Sequence, residues 1–416
     1  MSESPQPPRL HLFQAYGVEL EYMIVDRKTL DIRPIADELL KHELGQIGGE
    51  FVNDVVTWTQ EMSLHLIELK ATAPVSNFNR LESAFADNVK KINGILSTWD
   101  AMLMPTSAHP WMSPASGTKL WPHGANEVYN LYNKIFDTNG HGWSNVHSTH
   151  LNLPFFNDEE FLKLHAAIRL LLPILPALCA SSPIIEGKLT RSLDNQLHFY
   201  QAKQAKIPSI TGRVIPETIY SSRQYANTVY EKIREDLAAH DPAHILDPVW
   251  VNSRGAVPHF ERGSIEIRIM DTQESPPADF AIQTLVIETI KALVSEQFCN
   301  HEQQMRATTQ ILAGILDDTI EHGQSTEILS SEYPTAFGLE APCTAGDLWT
   351  HILSQLVDSK NALLEKWEPE LSVILRQGNL SERILKSLNR DYRLENIKET
   401  YRHLSDCLAQ NKIFIV

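Results

Sequence analysis

Two glutamates, Glu19 and Glu21, are the first residues in the chain whose type and spacing suggest chemistry. They lie in YGVELEYMIVD (16–26), where apolar and polar residues alternate in the pattern of a β-strand. Residues two apart on a strand point to the same face, so the two carboxylates are predicted to lie side by side. Such carboxylates repel each other and need a counter-charge, which a divalent cation with oxygen ligands would supply. The structural alternative is an edge strand with a solvated acidic face.

Two further segments place polar residues inside predicted strands. Glu68 lies in SLHLIELKAT (63–72), again as an acid in an apolar strand. In SNVHSTHLNL (144–153), His150 and Asn152 share one strand face and could serve a metal ion and a nucleotide. Each also has a structural explanation, Glu68 as an exposed strand residue and His150 as a hydrogen-bonded histidine of the core or surface.

A fourth strand is predicted at GSIEIRIMD (263–271), whose isoleucines alternate with polar residues. Glu266 and Arg268 share its polar face. They could form a plain salt bridge, or a metal ligand beside an anion-binding arginine, because guanidinium groups match the geometry of phosphates and carboxylates. Taken together, the four strands would form a curved antiparallel sheet whose polar faces line one concave, metal-binding pocket.

Helices are predicted to flank this sheet. Apolar residues at steps of three and four indicate helices at 79–99, near 127–136, and at 159–180 with a bend at its prolines. Strands in the first two thirds of the chain and helices afterwards indicate an α+β fold. The expected regions are a mobile N-terminal tail (1–13), a catalytic sheet with flanking helices (14–295) and a helical C-terminal region packed on the same domain (296–416).

Composition narrows the class of protein. The 416 residues are 43% hydrophobic and 21% charged, as in ordinary globular proteins. The net charge of −16 argues against nucleic acid as a partner. Neither a signal peptide nor a membrane span is predicted, since the most apolar stretch (170–180) is too short and contains two prolines. The four cysteines are widely spaced and are predicted to be free thiols of a cytoplasmic protein.

Several stretches resemble the second glutamate–cysteine ligase family, a family of carboxylate–amine ligases related to glutamine synthetase. The strand GVELEY is similar to the family's G-x-E-x-E strand. Further similar stretches follow in the expected order between residues 16 and 295: LIELKATAPV, HPWMSP, LWPHGANEVY, HGWSNVHSTHLNLPF, ASSPIIEGKLTRSLDN, ITGRVIPE and GSIEIRIMDTQESPPAD. The P-loop and the G-x-G-x-x-G motif are absent, so any ATP would be bound in another way.

The resemblance implies a glutamine-synthetase-like fold, ATP, and two or three Mg²⁺ ions, with Mn²⁺ as a substitute. The implied metal ligands are Glu19, Glu21, Glu68, His150 and Glu266. Arg268 and Arg254 are the implied catalytic contacts to phosphate or substrate carboxylate, and they join Asn152 as nucleotide contacts. His147 and Arg191 depart from the family pattern, in which Gln and Gly are more usual.

The implied activity is ATP-dependent joining of a carboxylate to an amine through an acyl phosphate, with release of ADP and phosphate. L-Glutamate and L-cysteine are the default substrates, and the loops between residues 105 and 142 are the predicted cover over the reacting groups. The alternatives are a metal-dependent kinase on the same fold and a degenerate ligase that only binds. Small amino-acid or amine substrates are the expected partners, without nucleic acid or membrane, and a homodimer is compatible with the sequence.

Overall fold

A curved antiparallel sheet organises the protein. The computed structural model describes residues 9–124, 126–358 and 361–416. Within them the strands are β1 (Gly17–Asp26), β2 (Phe51–Asn53), β3 (Val56–Gln60), β4 (Leu66–Ala71), β5 (Ala101–Met104), β6 (Ser148–Pro154), β7 (Ile184–Ile185), β8 (Lys188–Leu189), β9 (Ala256–His259), β10 (Ser264–Asp271), β11 (Glu327–Ile328) and β12 (Cys343–Thr344).

Helices make up most of the remaining chain. They are α1 (Ala36–Leu44), α2 (Leu81–Ser97), α3 (Pro114–Gly117), α4 (Asn126–Phe136), α5 (His141–Ser144), α6 (Asp158–Leu171), α7 (Leu175–Cys179), α8 (Asn195–Ala202), α9 (Ser222–Tyr225), α10 (Glu231–Leu237), α11 (Pro248–Val251), α12 (Pro276–Val294), α13 (His301–Arg306), α14 (Thr309–His322), α15 (Glu332–Thr335), α16 (Ala345–Asp358), α17 (Ala362–Lys366), α18 (Glu368–Gln377), α19 (Leu380–Leu388) and α20 (Leu394–Gln410). Short 3₁₀ segments occur at Leu172–Ile174 and Gly323–Ser325, and a π segment at Ala226–Tyr230.

The strand order in the main sheet is β2-β3-β4-β1-β6-β10-β9, with β5 paired to the outer part of β1. Its neighbouring strands are all antiparallel. The predicted α+β class is therefore confirmed. The four predicted strands correspond to β1, β4, β6 and β10, whereas β2, β3, β5 and β9 were not predicted.

The apolar face of the sheet packs on helix α12. The helix begins at Pro276, where a proline is favoured because its missing N–H has no partner inside the helix. It is buried on nearly all sides and packs against α2, α6, α16 and α18, as expected of a helix that is apolar all round. Thr149 of β6 donates a 2.9 Å hydrogen bond to Asp279 of α12, which fixes this face of the strand toward the core.

One segment, Asp158–Cys179, is long and apolar enough among the described helices to cross a membrane. Of its most apolar window, 89% is buried inside the protein, which is the behaviour of a core helix. The segment bends as predicted, because α6 ends at Leu171 and a 3₁₀ turn containing Pro173 precedes α7.

A large hydrophobic cluster joins the sheet to the C-terminal helices. Leu20 of β1, Trp349 of α16 and Leu408 of α20 all belong to it. Of the predicted tail, residues 1–8 lie outside the described residues. Arg9 donates a 2.7 Å hydrogen bond to the carbonyl of Phe260, so the described part of this segment contacts the sheet domain.

Three buried histidines, His65, His109 and His147, lie close together in the core. Their rings hydrogen-bond to the carbonyl oxygens of Ser144, Leu30 and Thr106 at 2.8, 2.8 and 3.2 Å. Burial lowers the pKa of His65 and His109 to about 4 and holds that of His147 well below its ordinary value. The histidines are therefore neutral in the folded protein at neutral pH.

The histidine cluster should make stability depend on pH. Below about pH 6.5 the unfolded chain binds protons that the folded chain does not, so stability falls as the pH falls toward 4. His147→Gln removes one such group. When the pH falls from 7.5 to 5, the variant should lose less stability than wild type. The difference in unfolding free energy, variant minus wild type, should increase by up to about 2 kcal/mol. Urea unfolding at the two pH values measures this, and His198→Gln, at an exposed histidine, is the control. A difference independent of pH would contradict the expectation.

Candidate active site

The antiparallel register aligns polar residues of four strands across one face of the sheet. The directly opposed pairs are Glu21 with Glu68, Glu19 with His150, and Asn152 with Glu266. Because alternate residues of a strand share a face, these side chains form a continuous polar row over β4, β1, β6 and β10.

This row forms the floor of a cavity of about 790 Å³. Six of the predicted site residues line it: Glu19, Glu21, Glu68, His150, Glu266 and Arg268. Asn152 lies beside the lining, where its amide donates a 3.1 Å hydrogen bond to Glu19 Oε1. The sheet thus brings together groups separated by as many as 249 positions in the sequence.

On β1, β4 and the end of β3, the cavity is rich in carboxyl groups. Burial, together with the negative charge of Glu61, raises the pKa of Glu21 to about 8. Burial also raises the pKa of Glu61, and it raises that of Glu68 further with the help of the neighbouring glutamates. Closely spaced buried carboxyl groups retain protons unless a cation neutralises them. This part of the cavity therefore favours a bound cation.

His150 is the positive group at the centre of the row. Its Nδ1 lies 2.9 Å from Glu19 Oε2 and 4.0 Å from Glu266 Oε1. Burial opposes protonation, but the hydrogen bond to Glu19 and the surrounding carboxylates raise the pKa of His150 to about 9. The protonated ring compensates the acids of β1 and β10.

A bulge in β10 positions Arg268. Between the pairs Ile267–Leu151 and Met270–Thr149, β10 has two residues where β6 has only His150. Such bulges bend a strand and redirect its side chains. Arg268 donates from Nε and Nη2 to the same Glu266 oxygen, at 2.9 and 2.5 Å, and lines the cavity.

The donor set suits a hard divalent cation. Mg²⁺ prefers carboxylate oxygens and retains water and phosphate ligands, and buried carboxyl groups with raised pKa values supply such oxygens here. Within the described ranges, however, no three His, Cys, Asp or Glu side chains converge on one point as metal ligands. His150 and Arg268 instead pair with the acids. Metal binding therefore requires side-chain rotation and, if His150 is a ligand, the loss of its proton.

The family follows from comparison with known sequences. Residues 15–312 match the profile of glutamate–cysteine ligase family 2, which covers more than half of the chain. The chain belongs to glutamate–cysteine ligase family 2.

Two relatives in sequence extend this result. An uncharacterized protein of Archaeoglobus fulgidus is 29% identical over 406 residues, which is 96% of this chain and all of that protein. A putative glutamate–cysteine ligase 2-3 of Rubrobacter xylanophilus is 24% identical over 316 residues, covering 73% of this chain and 77% of its own.

Two solved structures share the fold. Glutamate–cysteine ligase of Francisella tularensis, solved in complex with AMP, has a TM-score of 0.60 at 12% identity and covers 97% of this chain and 89% of its own. A bifunctional glutathione synthetase of Pasteurella multocida has a TM-score of 0.60 at 14% identity, covering 96% of this chain and about half, 53%, of its own. The glutamine-synthetase-like ligase fold is confirmed.

Several lining residues of this glutamate–cysteine ligase family 2 member were not predicted from the sequence. Glu61 follows β3, whose alternating VTWTQ segment was a usable strand signal. Lys203 follows helix α8, and His259 ends β9, where its Nε2 lies 3.0 Å from Glu266 Oε2. Aromatic residues complete the wall: Tyr132, Trp143, Tyr200, Tyr230, Trp250 and Phe260.

The placement of Arg254 does not support the phosphate contact predicted for it. Its guanidinium is 4% exposed and is held by both carboxylate oxygens of Glu217, each at 2.6 Å. It is not among the described residues that line the cavity. Arg254 thus forms a buried pair with Glu217.

Two positions that depart from the family pattern also lie away from the cavity lining. His147 is fully buried in the histidine cluster, and Arg191 is exposed and paired with Glu321 at 2.9 Å. The predicted cover is only partly supported, because residues 105–110 are buried in the core, whereas Tyr132 of α4 reaches the cavity.

Proposed function

We propose that this protein is an ATP-dependent ligase that joins a carboxylate to an amine through an acyl phosphate. The observation that carries the proposal is the row of buried acids, with His150 and Arg268, on the floor of one cavity. Membership of a ligase family supports it. L-Glutamate and L-cysteine are the first substrates to test.

The acids would hold two or three Mg²⁺ ions, or Mn²⁺ in their place. We assign Glu19, Glu21, Glu68, His150 and Glu266 as ligands, and Glu61 joins them because it lines the same part of the cavity. When bound, such ions neutralise the phosphates of ATP and polarise the bond that breaks. The AMP complex of the Francisella tularensis ligase supports nucleotide binding by this fold. Asn152 is retained as a nucleotide contact.

The protein contributes mainly position and charge, as in other phosphoryl transfers. A carboxylate oxygen of the acid attacks the γ-phosphorus, and the bond to the bridging oxygen breaks to release ADP. The amine then attacks the acyl carbon, a cavity carboxylate takes the proton that the amine loses, and phosphate leaves. Arg268 donates to the charge that develops during transfer.

The products should be ADP and free phosphate, without AMP or pyrophosphate. The test is a phosphate-release screen with ATP, Mg²⁺ and pairs of acids and amines, followed by chromatography of the spent nucleotide. AMP and pyrophosphate would exclude the acyl-phosphate route. ADP without free phosphate would favour a kinase, and no turnover with any pair would favour a non-catalytic binding protein.

We place the enzyme in the cytoplasm, in agreement with its free cysteines, Cys179, Cys299, Cys343 and Cys407. Three expectations stay predictions: small amino acids or amines as partners, the exclusion of nucleic acid and membranes, and a homodimer. Size-exclusion chromatography with light scattering would test the last of these.

A further inference from the structure

Lys203 brings to the cavity a positive charge that pairs with no carboxylate in the described part of the chain. It directly follows α8, whose start is fixed by Asp194, the cap that accepts a 2.8 Å hydrogen bond from the amide of Leu197. The other lysine of the lining, Lys70, pairs with Glu50 at 2.6 Å. Lys203 is only half-buried. Because lysines removed from water are normally paired, its unpaired ammonium group is available to a ligand.

Two aromatic rings hold this ammonium group in place. Lys203 Nζ lies 3.7 Å from the ring centroid of Tyr200 and 4.4 Å from that of Trp143. Cation–π contacts fix the position of the group without neutralising its charge. Burial, with repulsion from Arg268, lowers the pKa of Lys203 to about 7, and a bound anion would favour its charged form.

The positive charge around Lys203 favours an anionic ligand over a metal ion. Arg268 lines the same cavity and carries the same charge, so a metal ion bound directly at the unpaired Lys203 is disfavoured whereas an oxyanion is favoured. The phosphates of ATP arrive with divalent cations, which the acids of β1 and β4 attract. Two reactants can carry negative charge without a metal ion: the acid to be activated and an amine substrate that is itself an amino acid. Of the two, only the acid brings a carboxylate to every reaction of this class.

We infer that Lys203 and Arg268 form an anion subsite that binds the carboxylate of the acid substrate. The identity of the anion as that substrate rests on the proposed function, but the subsite itself does not. Lys203 is a substrate-binding residue in this assignment, and its three N–H donors match a carboxylate with unpaired oxygens.

Calorimetry with sodium sulfate in EDTA tests the subsite without any turnover. Wild type should bind sulfate, and Lys203→Met should weaken binding about 10- to 100-fold, the usual effect of losing a charged hydrogen bond. Lys203→Arg should retain most of the affinity. Lys206→Met, at an exposed lysine three residues later, should match wild type. Lys203→Gln replaces Lys203→Met if that variant does not fold.

The assignment to the acid is tested separately with Mg·ADP and with kinetics. Lys203→Met should leave Mg·ADP affinity within about twofold of wild type. It should raise KM for the acid, and not for ATP or the amine, about 10- to 100-fold. Absence of sulfate binding in wild type, or equal binding in Lys203→Met, would overturn the subsite. A loss of Mg·ADP affinity, or a raised KM for ATP, would overturn the acid assignment. Sulfate binding in a protein without ligase activity would refute the proposed function and still support the subsite.

Discussion

Glu21→Gln is expected to lower turnover by orders of magnitude while the protein remains folded. Glutamine keeps the shape of the side chain and can still accept the 2.8 Å hydrogen bond from the Ser148 amide. Burial and the charge of Glu61 raise the pKa of Glu21 to about 8, so ionising it costs folding free energy between the unfolded value near 4.5 and pH 8. The melting temperature in EDTA at pH 7.5 should therefore equal or exceed that of wild type. Mg²⁺–ATP should raise it less than in wild type.

The control for this substitution is Glu159→Gln, at an exposed acid on the first turn of α6 that pairs with Lys163. It should match wild type in turnover and in stabilisation by Mg²⁺–ATP. If Glu21→Gln also matched wild type in both measurements, the acids of β1 would be a solvated strand face and not metal ligands.

Arg268→Lys is expected to reduce kcat/KM about 100- to 1,000-fold, the usual effect of removing one preorganised donor from a transition state. Lysine keeps the charge but loses the planar set of donors. In the structure, two of those donors contact Glu266 and a third lies 3.3 Å from the carbonyl of Asn252. The substitution therefore leaves one ammonium group where three N–H groups had fixed positions.

Comparison with Arg254→Lys separates catalysis from structure. Like Arg268, Arg254 donates two hydrogen bonds to one carboxylate group, that of Glu217, but Arg254 is buried outside the cavity lining. Its replacement should lower the melting temperature with a much smaller effect on rate. Steady-state kinetics at saturating ATP and thermal melts measure both variants. A near-normal rate for Arg268→Lys would show that the pair between Arg268 and Glu266 is structural and that Arg268 has no catalytic role.

Alternation along the chain was enough to place most of the candidate site. Whether a strand side chain faces the cavity depends on local periodicity, so Glu19, Glu21, Glu68 and His150 could be assigned to one face from sequence. That the four strands share one sheet was inferred from their matching polar faces, and the family resemblance implied the same fold. Their order in the sheet was not predicted, because pairing between distant segments leaves no local pattern.

The site residues that the sequence did not reveal are placed by contacts between segments that lie far apart in the chain. Strand β3 alternates apolar and polar residues but has only five of them, and Glu61, just beyond its end, was missed with it. Lys203 reaches the cavity from the end of a helix, and only the tertiary packing of α8 places it there. The prediction for Arg254 failed to anticipate Glu217, a partner 37 residues earlier in the chain.

The shared hydrophobic cluster has a consequence for how the chain folds. The match to the family ends at residue 312, yet the cluster that contains Leu20 continues through Trp349 to Leu408. Helix α12 lies inside the matched part and is covered on its outer side by α16 and α18, beyond it. The segment that matches the family profile is therefore smaller than the unit that packs around this one cluster. A fragment cut at the family boundary would expose the apolar side of α12 and favour self-association over a native monomeric core.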